Sequence, residues 1–501
     1  MVSWVKKNVI KIILAVLYIL LFFPVFYSIY YAVPASDDFA MALGRDAYGN
    51  VFKEFFAAIP FYWTKRGGTM FSFITELLVN PLNIHRHLGH YYGWYMIVAF
   101  VVCMAAILYG VKTTATFMLR GLASKSDSNI NNKAEIIASV VTFITAVMLL
   151  ENDYYVETYN WYVGMMAYAV PMAVLFLAFG FIIKFANTGA KKYYIGMIIA
   201  GVFAANTTAL DIPLGIFFLY IVLINKGFKE HCKSTFKRYL PLICYILTGL
   251  ITVIAPGNFA RQGQYTEKVS VSTSVVQTIA DVKHFGMLII TQKPVTIIVL
   301  AVLFFIGVAA YSKADKKPGN LFLFVIASVA TWVGCILPYV YGRGMTRTYL
   351  DVRMQYVLDY FIQIALCLIA LMLGQWVAYL IKKDLEKVGY VLAVAVAVLG
   401  VVALFVTGRY TTTVSYEVKA KAPEIVNSFY LWDSILCEIE NGDDQVVVDR
   451  DYNVPWNKYF LYSGMEPGEE YAVELDSFYD AKQILPNVYY GKKSIVVNYP
   501  R

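Results

Sequence analysis

The sequence predicts an all-α, polytopic membrane protein of about eleven transmembrane helices, followed by a small C-terminal domain of mixed helix and strand. Three observations carry this reading. Apolar residues make up 59% of the 501 and charged residues 15%, against roughly 45–50% and about 25% in soluble chains, so lipid must cover a surplus that no soluble core can hide. Apolar runs near the length that crosses about 30 Å of hydrocarbon recur from residue 9 to residue 408. Every second connection between them is rich in lysine.

The first run, 9–33, follows Lys6 and Lys7 as a signal peptide would. It is long for one and lacks an Ala-x-Ala cleavage site, so it reads as a retained span. Further spans are expected at about 91–111, 134–150, 161–183, 193–206, 211–225, 239–256, 293–312, 319–338, 355–381 and 388–408. The 193–206 and 211–225 pieces are short and read as one broken hairpin. With the N-terminus inside, the basic groups around Lys112, Lys184, Lys226, Lys316 and Lys382 all fall in inner connections, the asymmetry that orients membrane proteins. Parity then places 34–90, 151–160, 207–210, 257–292, 339–354 and 409–501 outside. The net charge of +8 is therefore a topology signal, and no nucleic-acid partner is expected. Five of the six cysteines lie in or beside apolar runs and only Cys437 in the exterior tail, which predicts no external disulfide framework and no thiolate metal cluster.

The outer connections carry Asp, Glu, Arg, Trp and Tyr in close company, whereas the inner ones are lysine-rich and otherwise bland. In the first, about 48–63 and 69–88 have amphipathic spacing, with Phe52, Phe55, Phe56 and Ile59 in one and Phe71, Ile74, Leu77 and Leu78 in the other. Both predict short helices along the membrane surface. The tail 409–501 shows strand-like alternation at 445–448 and 471–475, with Pro and Gly punctuation between.

Asp37 and Asp38 stand just beyond the first span. Paired carboxylates repel, which raises one pKa and suits a base; they also suit a divalent cation, or a helix cap. Arg66, Arg261, Arg343 and Arg347 are candidates for an anion, because a guanidinium meets several phosphate oxygens in a fixed fork. Arg353 is balanced between that role and pairing with Asp351 or Asp359. Trp63, Asn152, Asp153, Asn160, Trp161, Asn206 and Asn258 offer the directional hydrogen bonds and flat apolar faces that a sugar needs. His85, His87 and His90 lack a zinc-binding spacing, and no metal is assigned to them.

In these residues, in their order and in their common outward placement, the chain resembles bacterial membrane glycosyltransferases of the GT-C superfamily, in the membrane families that occur with surface-polysaccharide genes. The resemblance covers about residues 9–440. It implies transfer of a sugar from a polyprenyl (undecaprenyl) phosphate donor to a polysaccharide or glycolipid acceptor outside the bacterial cytoplasmic membrane. It also implies that Asp37 or Asp38 is the general base, that the arginines hold the departing lipid phosphate, and that the anomeric centre inverts. No cofactor is obligatory on this reading, although the carboxylate pair leaves room for Mg2+ or Mn2+. Two alternatives stand beside it: a polysaccharide polymerase or ligase using a diphosphate-linked glycan, and a flippase or transporter for a lipid-linked sugar, to which the broken hairpin would belong.

Overall fold

In chain order, α1 (Val2–Tyr30) is followed by three short helices, α2 (Asp37–Ala40), α3 (Val51–Lys65) and α4 (Met70–Leu78), and then by the long α5 (His90–Arg120) and α6 (Ser128–Leu150). A one-turn α7 (Tyr162–Gly164) sits between π-helical stretches, Val156–Asn160 and Met165–Ala169, and leads into α8 (Val170–Thr188). α9 (Lys191–Ala205) and α10 (Asp211–Ile224) make a hairpin, and α11 (Lys226–His231) turns the chain into α12 (Thr235–Ile254). α13 (Pro256–Gln262) and α14 (Val271–Gln292) precede α15 (Pro294–Tyr311), α16 (Leu321–Arg343), α17 (Val352–Ile381) and α18 (Glu386–Val406). This computed structural model describes residues 2–43, 50–84, 89–120, 128–152, 155–207, 210–263, 269–311, 317–343, 350, 352–453, 455–473 and 486–500, without the side chains of 2–8, 120, 128–132 and 343.

Among the described residues, nine helical stretches are long and apolar enough to cross a membrane: those in α1, α5, α6, α7 through α8, α12, α15, α16, α17 and α18. The protein is thus a helical multi-pass membrane protein. The other two of the expected eleven are α9 and α10, of 15 and 14 residues. At 1.5 Å per residue they extend only about 22 and 21 Å. The expected outer connection 257–292 is not a plain loop. It contains α13 and α14, and α14 packs Ser274, Thr278, Asp281, Phe285 and Ile289 inward at helical spacing.

Contacts between the connections sort them into two faces. On one, Lys133 bonds Glu386, the Tyr194 hydroxyl donates to Lys237 O at 2.7 Å, and Trp376 Nε1 donates to Gly319 O at 3.0 Å. This is the lysine-rich face. On the other, Trp161 Nε1 donates to Ala35 O at 3.0 Å, Asn206 Nδ2 to Gly68 O at 3.2 Å, Gln262 Nε2 to Tyr341 O at 3.5 Å, and Val414 N to Glu151 Oε2 at 3.3 Å. Segments from all six connections that parity assigns to one side therefore meet one another. α9 and α10 run from the lysine face to this second face and back.

After α18 the chain forms α19 (Val414–Ala420), α20 (Ala422–Asn441), β1 (Gln445–Asp449), β2 (Glu470–Tyr471), α21 (Pro486–Tyr490) and β3 (Ser494–Asn498). The sheet order is β1-β3-β2, with β1 and β3 parallel and β2 antiparallel to β3. Alternation in β1 buries Val446 and Val448 and exposes the residues between them. The strand expected at 445–448 is β1. The one expected at 471–475 is represented by Tyr471 in β2, and its residues from 474 onward lie outside the described ones.

α15 and α17 meet through glycines. A Cβ on Gly374 would sit 1.9 Å from Phe304 O, and one on Gly307 2.2 Å from Leu371 O. Small residues let membrane helices approach to backbone contact. Gly374→Val should force the pair apart at a cost of about 1–3 kcal/mol, read as a lower melting temperature in detergent. Gly286→Ala, inside α14 where an added Cβ meets nothing within 4 Å, should not lower that temperature and should raise it slightly, by about 0.4–1 kcal/mol of stability.

Candidate functional site

The turn after α1 is organised by Asp38, which is fully buried. Its Oδ2 accepts from Ala35 N at 3.0 Å and from the Tyr92 hydroxyl at 2.7 Å, and its Oδ1 accepts from Val163 N at 3.1 Å. One carboxylate therefore joins the end of α1, the start of α5 and α7. The three donors favour the charged form, but complete burial outweighs them, and the nearby Asp37 adds to it, so the carboxyl is raised to about 7. Ser36, just before the pair, has φ 49°, a left-handed conformation that costs a non-glycine residue roughly 1–3 kcal/mol and persists only where surroundings impose it. Its amide donates to Ser463 O at 2.8 Å, so the C-terminal segment is part of those surroundings.

Arg66 caps the C-terminus of α3 and is followed by Gly67 and Gly68. This turn packs directly on the chain between α12 and α13. A Cβ on Gly68 would lie 1.9 Å from Thr252 O, and one on Gly257 2.4 Å from Gly67 N. Two asparagines hold the joint. Asn206 accepts from Phe71 N at 2.8 Å and donates to Thr252 Oγ1 at 2.8 Å, while Asn258 donates to Thr252 O at 2.7 Å and accepts from Gly68 N at 3.4 Å. The joint packs α13, which carries Arg261, against the Arg66 turn, where a Cβ on Gly257 would lie 2.6 Å from Arg66 N, and the charges of both arginines act on the Tyr62 hydroxyl. Burial and the charge of Glu76 push that hydroxyl up to about 12 against their pull.

The remaining charged group is Glu76, on α4 and only 3% exposed. Burial pushes its carboxyl up to about 8, with Asp37 and Asp38 raising it further and Arg66 pulling it down. At neutral pH it mostly holds its proton. Asp37, by contrast, is half-buried. Beside the group, Ala40, Met41, Phe61, Tyr62, Arg66, Phe73 and Leu77 line a narrow cleft. The structure thus brings Asp37, Glu76 and Arg66 together where α2, α3 and α4 line one cleft, with α13 packed against the Arg66 turn. Such a group can bind an anion and accept a proton within one small space.

Of the residues expected to touch substrate, Asn206 and Asn258 are structural ties whose amides are occupied by the chain itself. Asn160 donates to Ser28 Oγ at 2.8 Å, and Trp161 spends its N–H on Ala35 O while the Arg353 guanidinium lies 4.8 Å above its ring. Arg353 also reaches Glu157 at 3.6 Å. Asn152 is buried at the start of the 151–160 connection, and Trp63 is half-buried on α3. Arg343 ends α16 with its side chain outside the described residues, and Arg347, Asp153, Asp351, His85 and His87 lie outside them altogether. His90 is stacked between Tyr30 at 4.3 Å and Phe429 at 4.4 Å. Among the described residues no three of His, Cys, Asp and Glu converge as a metal-binding group.

Sequence reasoning missed Glu76. Its signal was a carboxylate on the apolar side of an amphipathic helix, beside Phe73 and Leu77, where a solvated glutamate does not belong. Comparison with family models, with curated proteins and with solved structures yields no match to this chain.

Two outcomes follow from these carboxyls. Asp38→Asn turns an NH2 toward a hydrogen-bond donor, which should cost about 1–3 kcal/mol and lower the melting temperature. A carboxyl raised by burial contributes stability that is whole below its ordinary pKa and fades as pH rises through the raised value. Melting temperature should therefore fall from about pH 4 upward and level off near 7 for Asp38 and near 8 for Glu76, and Glu76→Gln should make the fall shallower and end it near 7.

Proposed function

We propose that the protein is an inverting glycosyltransferase that moves a sugar from a polyprenyl phosphate carrier to a surface polysaccharide or glycolipid, on the outer side of a bacterial cytoplasmic membrane. The observation that carries this reading is the packing of α13, which bears Arg261, onto the Arg66 turn, with Arg66 acting on Glu76 beside Asp37. A lipid-linked donor needs a phosphate-binding position at the membrane surface and a proton acceptor within reach of it, and this group supplies both. The apolar residues around it are exposed as an interfacial site requires: Phe52, Phe56, Leu78 and Phe259 all face outward. The lysine-rich opposite face is the cytoplasmic one on the positive-inside rule.

In the reaction, the Asp37 carboxylate takes the proton of the acceptor hydroxyl as that oxygen bonds to the anomeric carbon. The bond from that carbon to the phosphate oxygen breaks, and its electron pair leaves with the polyprenyl phosphate, whose added negative charge Arg66 and Arg261 neutralise. Asp37 is the base on this account because Asp38 already has three donors on its two oxygens.

The test is transfer of labelled sugar from a polyprenyl monophosphate donor panel into native polysaccharide. Asp37→Asn should keep the wild-type melting temperature and lose at least 100-fold in rate, while Arg261→Gln should raise KM for the donor. Transfer of whole glycan from a diphosphate carrier, transport without a covalent product, or full activity in Asp37→Asn would overturn the assignment.

A further inference from the structure

Glu76 has no part in the proton transfer or in the exchange of bonds, yet it stands against the residues that do. Its neighbours on α4, Phe73 and Leu77, line the same cleft as Arg66. The turn of α4 that carries it is pinned on all sides. Tyr162 donates to the carbonyls of Thr75 and Glu76 at 2.9 and 3.1 Å, Asn83 Nδ2 to Leu77 O at 2.6 Å, and Tyr95 to Val79 O at 2.5 Å. Among the described residues no donor bonds the Glu76 carboxyl, whereas the equally buried Asp38 has three. A buried carboxyl without donors favours its neutral form. Because the helix cannot carry it out to water, a charge formed on it appears in place, next to Arg66.

We infer that the phosphate at Arg66 binds together with a proton on Glu76, so that the site takes the anion while this carboxyl is neutral and releases it when the carboxyl ionises. The inference rests on the assignment of Arg66 to the lipid phosphate. A phosphate monoester carries close to two negative charges at neutral pH, and a further negative charge at Glu76 competes for Arg66 and repels the ligand. The departing polyprenyl phosphate gains charge in the transfer, so the product is the form that Glu76 governs most. The carboxyl ionises near pH 8, within reach of the outer solution. The other titratable groups around it are Asp37 and Asp38 on α2, Tyr62 on α3, Tyr162 on α7, Tyr95 at the end of α4, and Tyr168 in the π-helical stretch packed on α4. Arg66 is the cation that acts on it, and Arg261 acts on Tyr62 beside it. Burial pushes Tyr62 and Tyr95 up to about 12 and Tyr162 further, so these hydroxyls stay neutral while Glu76 titrates.

The full chain in mild detergent, titrated with polyprenyl monophosphate at constant ionic strength, tests this at about pH 7.5 and about pH 9.5. Wild-type affinity should fall about tenfold between the two, because each phosphate bound at the higher pH must bring a proton with it. Glu76→Gln, which keeps a neutral side chain of the same shape, should change by less than about twofold. Asp37 and Asp38 are present in both proteins, so the difference between them isolates Glu76. If Glu76→Gln does not fold, calorimetry of the wild type at about pH 8.5, in two buffers of different ionisation enthalpy, should show about half a proton taken up per phosphate bound. Equal wild-type affinity at both pH values, the same fall in Glu76→Gln, or no proton uptake overturns the inference and leaves the lipid-phosphate site standing. No binding of polyprenyl monophosphate at either pH overturns both.

Discussion

Burying the carboxylate of Asp38 is the constraint on which the site depends. A charged oxygen pair in an apolar interior costs several kcal/mol unless donors surround it, and here the donors come from three separate elements: Ala35 N, the Tyr92 hydroxyl and Val163 N. The Tyr92 hydroxyl in turn accepts from Tyr162 N at 2.9 Å. The end of α1, the start of α5 and the α7 turn must therefore meet at one point. With Asp38 committed inward and Ser36 turned into a left-handed conformation, Asp37 is left half-buried among Glu76 and the arginines. The adjacent aspartates have the same chemistry and different surroundings: Asp38 is wholly buried among three donors, and Asp37 is half-buried.

The C-terminal segment belongs to this arrangement. Ser28 donates to Tyr459 O at 2.8 Å, Ser36 is held by Ser463 O, and Phe39 packs against Tyr489 and Tyr490 at 5.7 and 6.0 Å. Tyr489 also donates to Leu82 O at 3.1 Å, behind α4. A domain that only tethered the protein to its surroundings would have no need to bond the backbone of the aspartate turn. These contacts make it a backing for the turn and for the first connection, so that the strain at Ser36 is sustained from the far end of the chain.

The short hairpin of α9 and α10 sets the depth of the site. Two helices of about 22 and 21 Å cannot match hydrocarbon about 30 Å thick, so the lipid thins locally or other parts of the protein fill the deficit. Phe71 of α4 stacks on Phe203 near the end of α9 at 4.7 Å, and Asn206 fastens the same end to Gly68 and Thr252. The first connection is thus fastened to the end of the short hairpin, and the turn that carries Arg66 with it.

Periodicity and charge bias were enough to read the membrane class, the placement of most helices, the grouping of the connections into two faces, and strand β1, because these follow from local composition and the exclusion of polar groups from lipid. The sequence alone also marked Asp37, Asp38, Arg66 and Arg261, residues that are costly near hydrocarbon. It did not separate the two aspartates, recruit Glu76, or reveal that the Asn206 and Asn258 amides and the Trp161 N–H bond the chain itself. Those outcomes depend on which donors and acceptors from distant segments come within about 3 Å, and a polar residue looks the same in sequence whether a backbone amide 190 positions away has already claimed it, as Gly68 has claimed Asn258, or a ligand has yet to. Only the packing of the connections against one another decided which of these groups remain available for chemistry.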